Sequence, residues 1–160
     1  MAADYRAFRD LIAARIQTVG HAGVVHDRVR YAADWDTYVQ RFRVTIDGRQ
    51  QIRGWELWRS QRRVAVTDMD TMGSINWAHT FVIKGLMGFR DNDDTDGEFG
   101  DLVDEVMGAL TDLAEVPATL PGVWQIEWPR LRLQDMQMIG SVLCHVAEIV
   151  LVVHRQESLG

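Results

Sequence analysis

Carboxylates are concentrated between residues 91 and 100, where the sequence reads DNDDTDGEFG. The first part of this segment matches the beginning of a calcium-binding loop, N-x-D-x-D-G, which would use Asp94 and Asp96 as ligands. A complete loop also needs a bidentate glutamate six residues after the glycine, and Val103 occupies that position. The sequence therefore favours a solvated loop that caps the following helix. A calcium-stabilised binding module remains an alternative.

Histidine and cysteine, which could act as ligands or nucleophiles, are scattered along the chain. No two of the five histidines have the spacing of a zinc or catalytic motif. Cys144 is next to His145, but adjacent strand residues point to opposite faces, so these two cannot form a catalytic dyad. Nucleophile elbows, phosphate-binding loops and dinucleotide fingerprints are missing. We therefore expect a protein that is not an enzyme and that uses no metal or cofactor.

Tryptophan and arginine alternate in two segments, Gly54–Arg59 and Trp124–Arg132. Such a pattern could stack the bases of single-stranded nucleic acid, with Trp55, Trp58 and Trp124 as the platform. Acidic residues within the same segments oppose this reading. Because tryptophan and arginine are also enriched at the energetic centres of protein interfaces, the pattern favours protein–protein contacts.

The composition sets limits on the class of protein. The chain has 160 residues and a formal charge of −6, so it has no basic footprint for nucleic acid. Its longest apolar run, Ile149–Val153, is far too short to cross a bilayer, and a single cysteine excludes a disulfide framework. Lys84 is the only lysine, beside sixteen arginines. These features predict one soluble domain made in a reducing compartment, with no membrane contact.

Hydrophobic periodicity predicts the elements that must position these residues. Helices are expected at residues 4–18, in a short segment capped by Asp34, and in a long segment after the acidic loop. The short segment could instead be extended. The predicted strands are residues 52–58, 75–84, 123–133 and 142–154, and residues 24–30 are expected to form a short extended stretch. This order predicts an α+β fold over residues 1–160, in which a mainly antiparallel sheet of four to five strands packs against the N-terminal helix and one long helix.

The periodic positions also predict the core. Alternation over residues 75–84 predicts a half-buried strand, and Ile149–Val153, apolar at every position, predicts a strand covered on both faces. The expected core residues are Trp77, Phe81, Phe99, Leu102, Val106 and Ile149.

The layout of these elements resembles the tail terminator, or tail completion, proteins of long-tailed bacteriophages. The resemblance covers about residues 3–155. An N-terminal helix is followed by the Trp-containing segment Trp35–Phe42 and then by GWELWR at Gly54–Arg59. A helix beginning FGDLVDEV at Phe99–Val106 follows the acidic loop, and the chain closes with LCHVAEIVL at Leu143–Leu151.

The resemblance implies a structural virion protein, made in the bacterial cytoplasm, that assembles as a homo-oligomeric ring, usually a hexamer. Such a ring caps the head-proximal end of the tail tube, stops polymerisation of the major tail tube protein and offers a surface to the head-completion or neck protein. Genomic DNA passes through the lumen without specific binding. Another neck or head–tail connector protein is the alternative within the same context.

Contacts with neighbouring subunits or with the tube are expected in two loops, Arg59–Ser74 and Arg90–Gly97, because irregular loops often carry function. The predicted interface residues are Trp58, Arg59, Arg62, Arg63, Met69, Met72, Asp91, Asp93, Asp94 and Asp96.

Overall fold

The backbone forms a mixed sheet with helices on both faces, as seen in a computed structural model that describes residues 3–65, 73–116 and 120–158. The helices are α1 (Ala3–Gln17), α2 (Trp35–Gln40) and α3 (Thr95–Glu115). The strands are β1 (Val24–His26), β2 (Arg43–Ile46), β3 (Arg49–Val64), β4 (Ser74–Gly88), β5 (Val123–Ile126), β6 (Arg130–Ile139) and β7 (Val142–Ser158). The predicted α+β class is confirmed.

The sheet has the strand order β1-β3-β4-β7-β5, with β2 also paired to β3 and β6 also paired to β7. All pairs are antiparallel except β1 with β3. The expected count of four to five strands is too low, because the described chain contains seven. The short strand β2 accounts for part of the difference, since four residues carry little periodic signal, whereas β1 lies within the extended stretch predicted at residues 24–30.

The C-terminal hairpin accounts for the rest of the difference. The sequence predicts one strand over residues 123–133 followed by a polar connection. The chain instead breaks after β5 at Pro129 and resumes as β6, which continues to Ile139 and pairs with β7. Because proline has no N–H to donate, Pro129 is a natural place for the ladder to be interrupted. The turn between β6 and β7 contains only Gly140 and Ser141.

The main core lies between one face of the sheet and the pair α1 and α3. Strand residues Trp55, Phe81 and Ile149 are fully buried there, and α1 contributes Ile12 and Ile16. The predicted core residues on α3 are buried as well, namely Phe99, Leu102 and Val106. A 3.6-residue apolar period therefore identified the inner face of both long helices.

A second, smaller cluster covers part of the opposite face. Tyr38, Val39 and Phe42, from α2 and the residues after it, pack on Leu86 and Val146 of β4 and β7. The Asp34 side chain accepts a hydrogen bond of 2.7 Å from the Thr37 backbone N–H, which confirms Asp34 as the N-cap of α2. The residues of Ile149–Val153 are buried on both faces, as predicted.

Trp77 is the exception among the predicted core residues, because it is only partly buried. Its indole Nε1–H donates a 2.9 Å hydrogen bond to Glu157, and the Arg62 guanidinium lies 3.9 Å from the ring centroid. Trp77 faces the same side as the core residues of β4 but lies beyond the helices, near the end of the sheet. The alternation correctly indicates the face but does not show how far the helices extend.

Gly85 shows why a strand interior can require glycine. A Cβ at this position would lie 2.6–2.9 Å from three carbon atoms of the Trp55 ring on the paired strand. The buried indole therefore occupies the space that a side chain at Gly85 would need.

Candidate interaction surfaces

The predicted basic group lies on the outer part of β3. Arg59 is 4.8 Å from the Tyr5 ring centroid, and its Nη1 is 3.3 Å from His79 Nδ1. Arg62 covers Trp77 and donates to Glu157 at 3.4 Å. Arg63 is exposed. Aromatic rings therefore hold two of these arginines in place, which lowers the entropy that each would lose on contact with a partner.

The expectation of a long contact loop at Arg59–Ser74 is wrong at both ends. Residues 59–64 belong to β3 and pair with residues 77–81 of β4, with a bulge between Arg59 and Gln61, and Ser74 begins β4 and pairs with Ser158. Met69 and Met72 lie outside the described residues.

The acidic segment is also more regular than predicted. Helix α3 begins at Thr95, so the second half of the expected loop is the first turn of a helix. Asp94 caps this helix by accepting a 3.0 Å hydrogen bond from the Gly97 N–H. Asp93 lies 3.4 Å from both Arg49 and Arg90.

Helical geometry in this segment differs from that of a calcium loop, which stays open for twelve residues. Asp94 and Asp93 use their oxygens for a helix cap and for ion pairs, and Asp91 and Asp96 are exposed. The part of the chain that the structure describes contains no group of three or more candidate ligands placed to hold a metal ion. The geometry gives the calcium alternative no support.

The basic and acidic groups do not form one site. Asp93 contacts Arg49 at the start of β3, whereas Arg62 and Arg63 lie near its end. Arg62 is thirteen positions after Arg49 along β3, which corresponds to about 40 Å. The predicted interface residues therefore mark two separate surfaces at opposite ends of the sheet.

The position of Trp55 contradicts the alternative that the protein binds single-stranded nucleic acid. This residue is 0% exposed and packs in the main core, so it cannot stack a base. Trp58 on β3 and Trp124 on β5 are accessible, but β4 and β7 lie between their strands. The three residues do not form a platform.

Cys144 and His145 lie on opposite faces of β7, as predicted. Cys144 belongs to the smaller cluster under α2, and burial raises the pKa of its thiol to about 11. His145 points to the other face, where its Nε2 is 2.9 Å from the Thr95 hydroxyl and its ring stacks on Phe99. The histidine therefore fixes the start of α3 on the sheet.

A groove of about 850 Å³ between α2 and the outer face of β3 and β4 was not predicted. Exposed aromatic side chains at its rim include Tyr31 and Trp35. At its floor Glu56 is only 2% exposed and accepts hydrogen bonds from the Tyr38 hydroxyl at 2.6 Å and the Arg30 N–H at 3.2 Å.

The single lysine of the chain lies in the same groove. Lys84 pairs across the ladder with Glu56 on one side and with Glu148 on the other. Its ammonium is 5.7 Å from the centroid of the Tyr38 ring. Because α2 is far from β3 and β4 in sequence, this grouping has no local sequence pattern.

The strongest electrostatic feature is the outer face of α3. The helix contains seven acidic residues and no basic one, and all seven side chains are exposed: Asp96, Glu98, Asp101, Asp104, Glu105, Asp112 and Glu115. Residues 91–129 carry eleven acids and no cation, so the rest of the chain has a formal charge of +5. The negative charge that the composition shows as an average is thus concentrated on one segment.

No protein-family model matches the chain, and no curated protein has a significantly similar sequence. In the described part of the chain, no helix is both long enough and apolar enough to cross a membrane.

Proposed function

We propose that the protein is a structural subunit that assembles with copies of itself into a ring, the tail terminator of a long-tailed bacteriophage. The ring, a hexamer in this proposal, caps the head-proximal end of the tail tube, stops its polymerisation and presents a docking surface to the head-completion protein. The resemblance of Gly54–Arg59 and Leu143–Leu151 to that family supports the assignment. The protein would be located in the virion, at the neck.

The observation that carries the proposal is the separation of charge on one small domain. In this proposal the exposed acids of α3 form an acidic surface for the lumen, and the arginines at the end of β3 form a separate basic surface for contact with the next copy. Contacts between unlike surfaces are heterologous, and such contacts form a ring when the rotation between copies closes. Charge complementarity also selects the partner and increases the association rate.

The acidic helix also suits the passage of DNA. In this proposal the outer face of α3 lies toward the lumen, where a ring of carboxylates would repel phosphate groups and let the duplex slide. The family resemblance implies the same behaviour, since its members guide DNA without specific binding. A ring that bound DNA tightly at low salt would contradict this part of the proposal.

Association with tail tubes tests the proposed function. Purified tubes from the same virus should retain the protein in a pull-down, and electron micrographs of virions should place it at the tube end. Retention failure, or a position on the portal side as expected of a neck connector, would overturn the proposal. Terminators can stay monomeric until they meet the tube, so the oligomeric state is measured with tubes present.

A charge-reversal pair adds a control for surface specificity. Arg63→Glu changes an exposed arginine at the end of β3, and we expect it to weaken retention on tubes. Arg28→Glu changes an arginine that is 60% exposed in the segment after β1, and we expect normal retention. Equal effects of the two variants would show that only net charge matters.

A further inference from the structure

Strand β6 forms an open edge of the sheet. Its ten residues pair with β7 along one side, and among the described residues no strand pairs with the other side. Most β6 residues are exposed on both faces, including Met138 at 63% and Met136 at 39%. A long, accessible edge of this kind is a template for pairing with another strand.

The backbone groups available at this edge follow from the hydrogen bonds of β7. The Phe89 N–H donates to the Leu143 carbonyl at 2.9 Å, so the main chain of Leu143 faces β4. Its antiparallel partner Met138 must then direct its own N–H and C=O away from β7. Because this orientation alternates along a strand, Gln134 and Met136 also direct their backbone groups outward, and the outward Met136 N–H donates a 2.8 Å hydrogen bond to the adjacent Asp135 side chain.

A second open edge lies on the far side of the sheet. β1 pairs with β3 only at Gly54–Glu56, and no described strand pairs with residues 57–64 on the side opposite β4. The Ala65 N–H donates to Asn76 at 2.8 Å, so Ala65 faces β4. By the same alternation Val64 and Arg62 direct their backbone groups outward.

We infer that β6 of one copy pairs with residues 57–64 of β3 in the next copy, so that the sheet continues from subunit to subunit. The inference rests on the proposed function and names the contact that builds its ring. Each copy would use two different edges, which is the heterologous arrangement that a ring requires. Main-chain hydrogen bonds would supply affinity, as in other cases of strand addition.

The charges on the two strands favour pairing of β6 with β3 over a symmetric pairing of β3 with β3. Strand β6 carries Arg130, Arg132 and Asp135, and Arg132 is already paired with Glu148 of β7, whereas the outer part of β3 carries three arginines, Arg59, Arg62 and Arg63. Pairing of β3 with β3 would place arginines opposite arginines, which is unfavourable. Pairing of β6 with β3 brings the carboxylate of Asp135 to the arginine-rich strand instead.

The β6 edge is also held rigidly before any partner arrives. Ser141 in the β6–β7 turn donates its N–H and its hydroxyl to Asp36 on α2, at 2.7 and 2.8 Å. Gly140 has a φ of +61°, and a Cβ there would lie 2.3 Å from an Asp36 oxygen. The turn therefore docks on α2 with little freedom left to lose on association.

Proline substitutions can remove backbone N–H groups on one side of β6 at a time, either those that point outward or those that point to β7. Met136→Pro removes an outward N–H whose partner is the exposed Asp135 side chain and not β7, so the ladder with β7 should survive and the thermal unfolding midpoint should stay within a few degrees of wild type. Met136→Gln keeps the N–H and changes only the side chain. Gln137→Pro removes an N–H that points to β7, so this variant should lower the midpoint clearly more than Met136→Pro.

Native mass spectrometry of each purified protein, measured alone at high concentration and after incubation with tail tubes, then gives its oligomeric state. We expect wild type and Met136→Gln to form rings, and Met136→Pro to lose ring formation by at least about tenfold. Normal rings from Met136→Pro, or wild-type dimers in place of rings, would overturn the inference. Proteins that form rings through β6 but do not bind tubes would leave the inference intact and would refute the proposed function.

Discussion

Replacing Tyr38 with phenylalanine removes one hydroxyl from a buried contact and leaves the ring in place. The Tyr38 hydroxyl donates a 2.6 Å hydrogen bond to Glu56, and the two residues are 6% and 2% exposed. The Tyr38 ring packs edge-on against Trp35 and Phe42, with centroids 5.5 and 5.4 Å away, and phenylalanine can make the same contacts. The substitution therefore tests the hydrogen bond alone.

The expected decrease in the free energy of unfolding follows from the hydrogen bond that Glu56 loses. Without the hydroxyl, the 3.2 Å bond from the Arg30 N–H is the one hydrogen bond to this carboxylate from the described part of the chain, and water has little access to it. Hydrogen bonds to charged groups contribute about 1.5–3 kcal/mol, so we expect Tyr38→Phe to lower the free energy of unfolding by about 2 kcal/mol. For a domain of this size, that loss corresponds to a decrease of about 4–8 °C in the unfolding midpoint.

Urea denaturation followed by tryptophan fluorescence gives the free energy and its slope. Tyr31→Phe is the matched control, since Tyr31 is 84% exposed and should change stability by less than about 0.5 kcal/mol. In a double-mutant cycle with Glu56→Gln, the two changes should be coupled by more than about 0.5 kcal/mol. A Tyr38→Phe variant as stable as the control, or additive effects in the cycle, would refute the reasoning.

Three further predictions use other sites. Because burial raises the pKa of Cys144 to about 11, only about one thiol in a thousand is ionised at pH 8, and Ellman's reagent should react slowly with native protein and quickly in guanidinium. Gly85→Ala should lower the free energy of unfolding by about 1–3 kcal/mol in urea denaturation, because the new Cβ meets the Trp55 ring. Hydrogen bonds from Ser141 lower the pKa of Asp36 below its ordinary 3.8, so Asp36→Asn should destabilise the protein near neutral pH. That difference from wild type should decrease as the pH falls below about 4 and vanish below the lowered pKa.

Each of these three predictions can fail in its own way. Rapid labelling of native protein would place the Cys144 thiol at the surface. An unchanged stability of Gly85→Ala would show that the Trp55 ring can move. A pH-independent effect of Asp36→Asn would mean that the carboxylate charge is not what holds the β6–β7 turn.

Elements with one buried face were readable from the sequence. The apolar period of α1 and α3 reflects a surface that packs on a single core. The prediction of a half-buried strand at residues 75–84 is wrong, because Ala78, Val82 and Leu86 on the second face of β4 are buried as well. Asp34 marked the start of α2 because an N-cap is a local interaction. The start of α3 was placed too late because the acids around Asp94 have the composition of a loop, although Asp94 is itself a cap.

The candidate surfaces were less accessible to prediction. β6 is exposed on both faces, so no hydrophobic alternation distinguishes it from a loop, and only its ladder with β7 defines it. Glu56 has the composition of a surface charge, but Tyr38, eighteen positions away in sequence, provides its buried partner. Both features depend on contacts between distant segments, which a single sequence does not reveal.

The growth of tail tubes tests the central claim most directly. Major tail tube protein from the same virus would be polymerised with and without this protein, and tube lengths would be measured by electron microscopy. The account predicts that substoichiometric protein stops growth and leaves a ring at one end of each tube. Tubes of unchanged length with bare ends would contradict it.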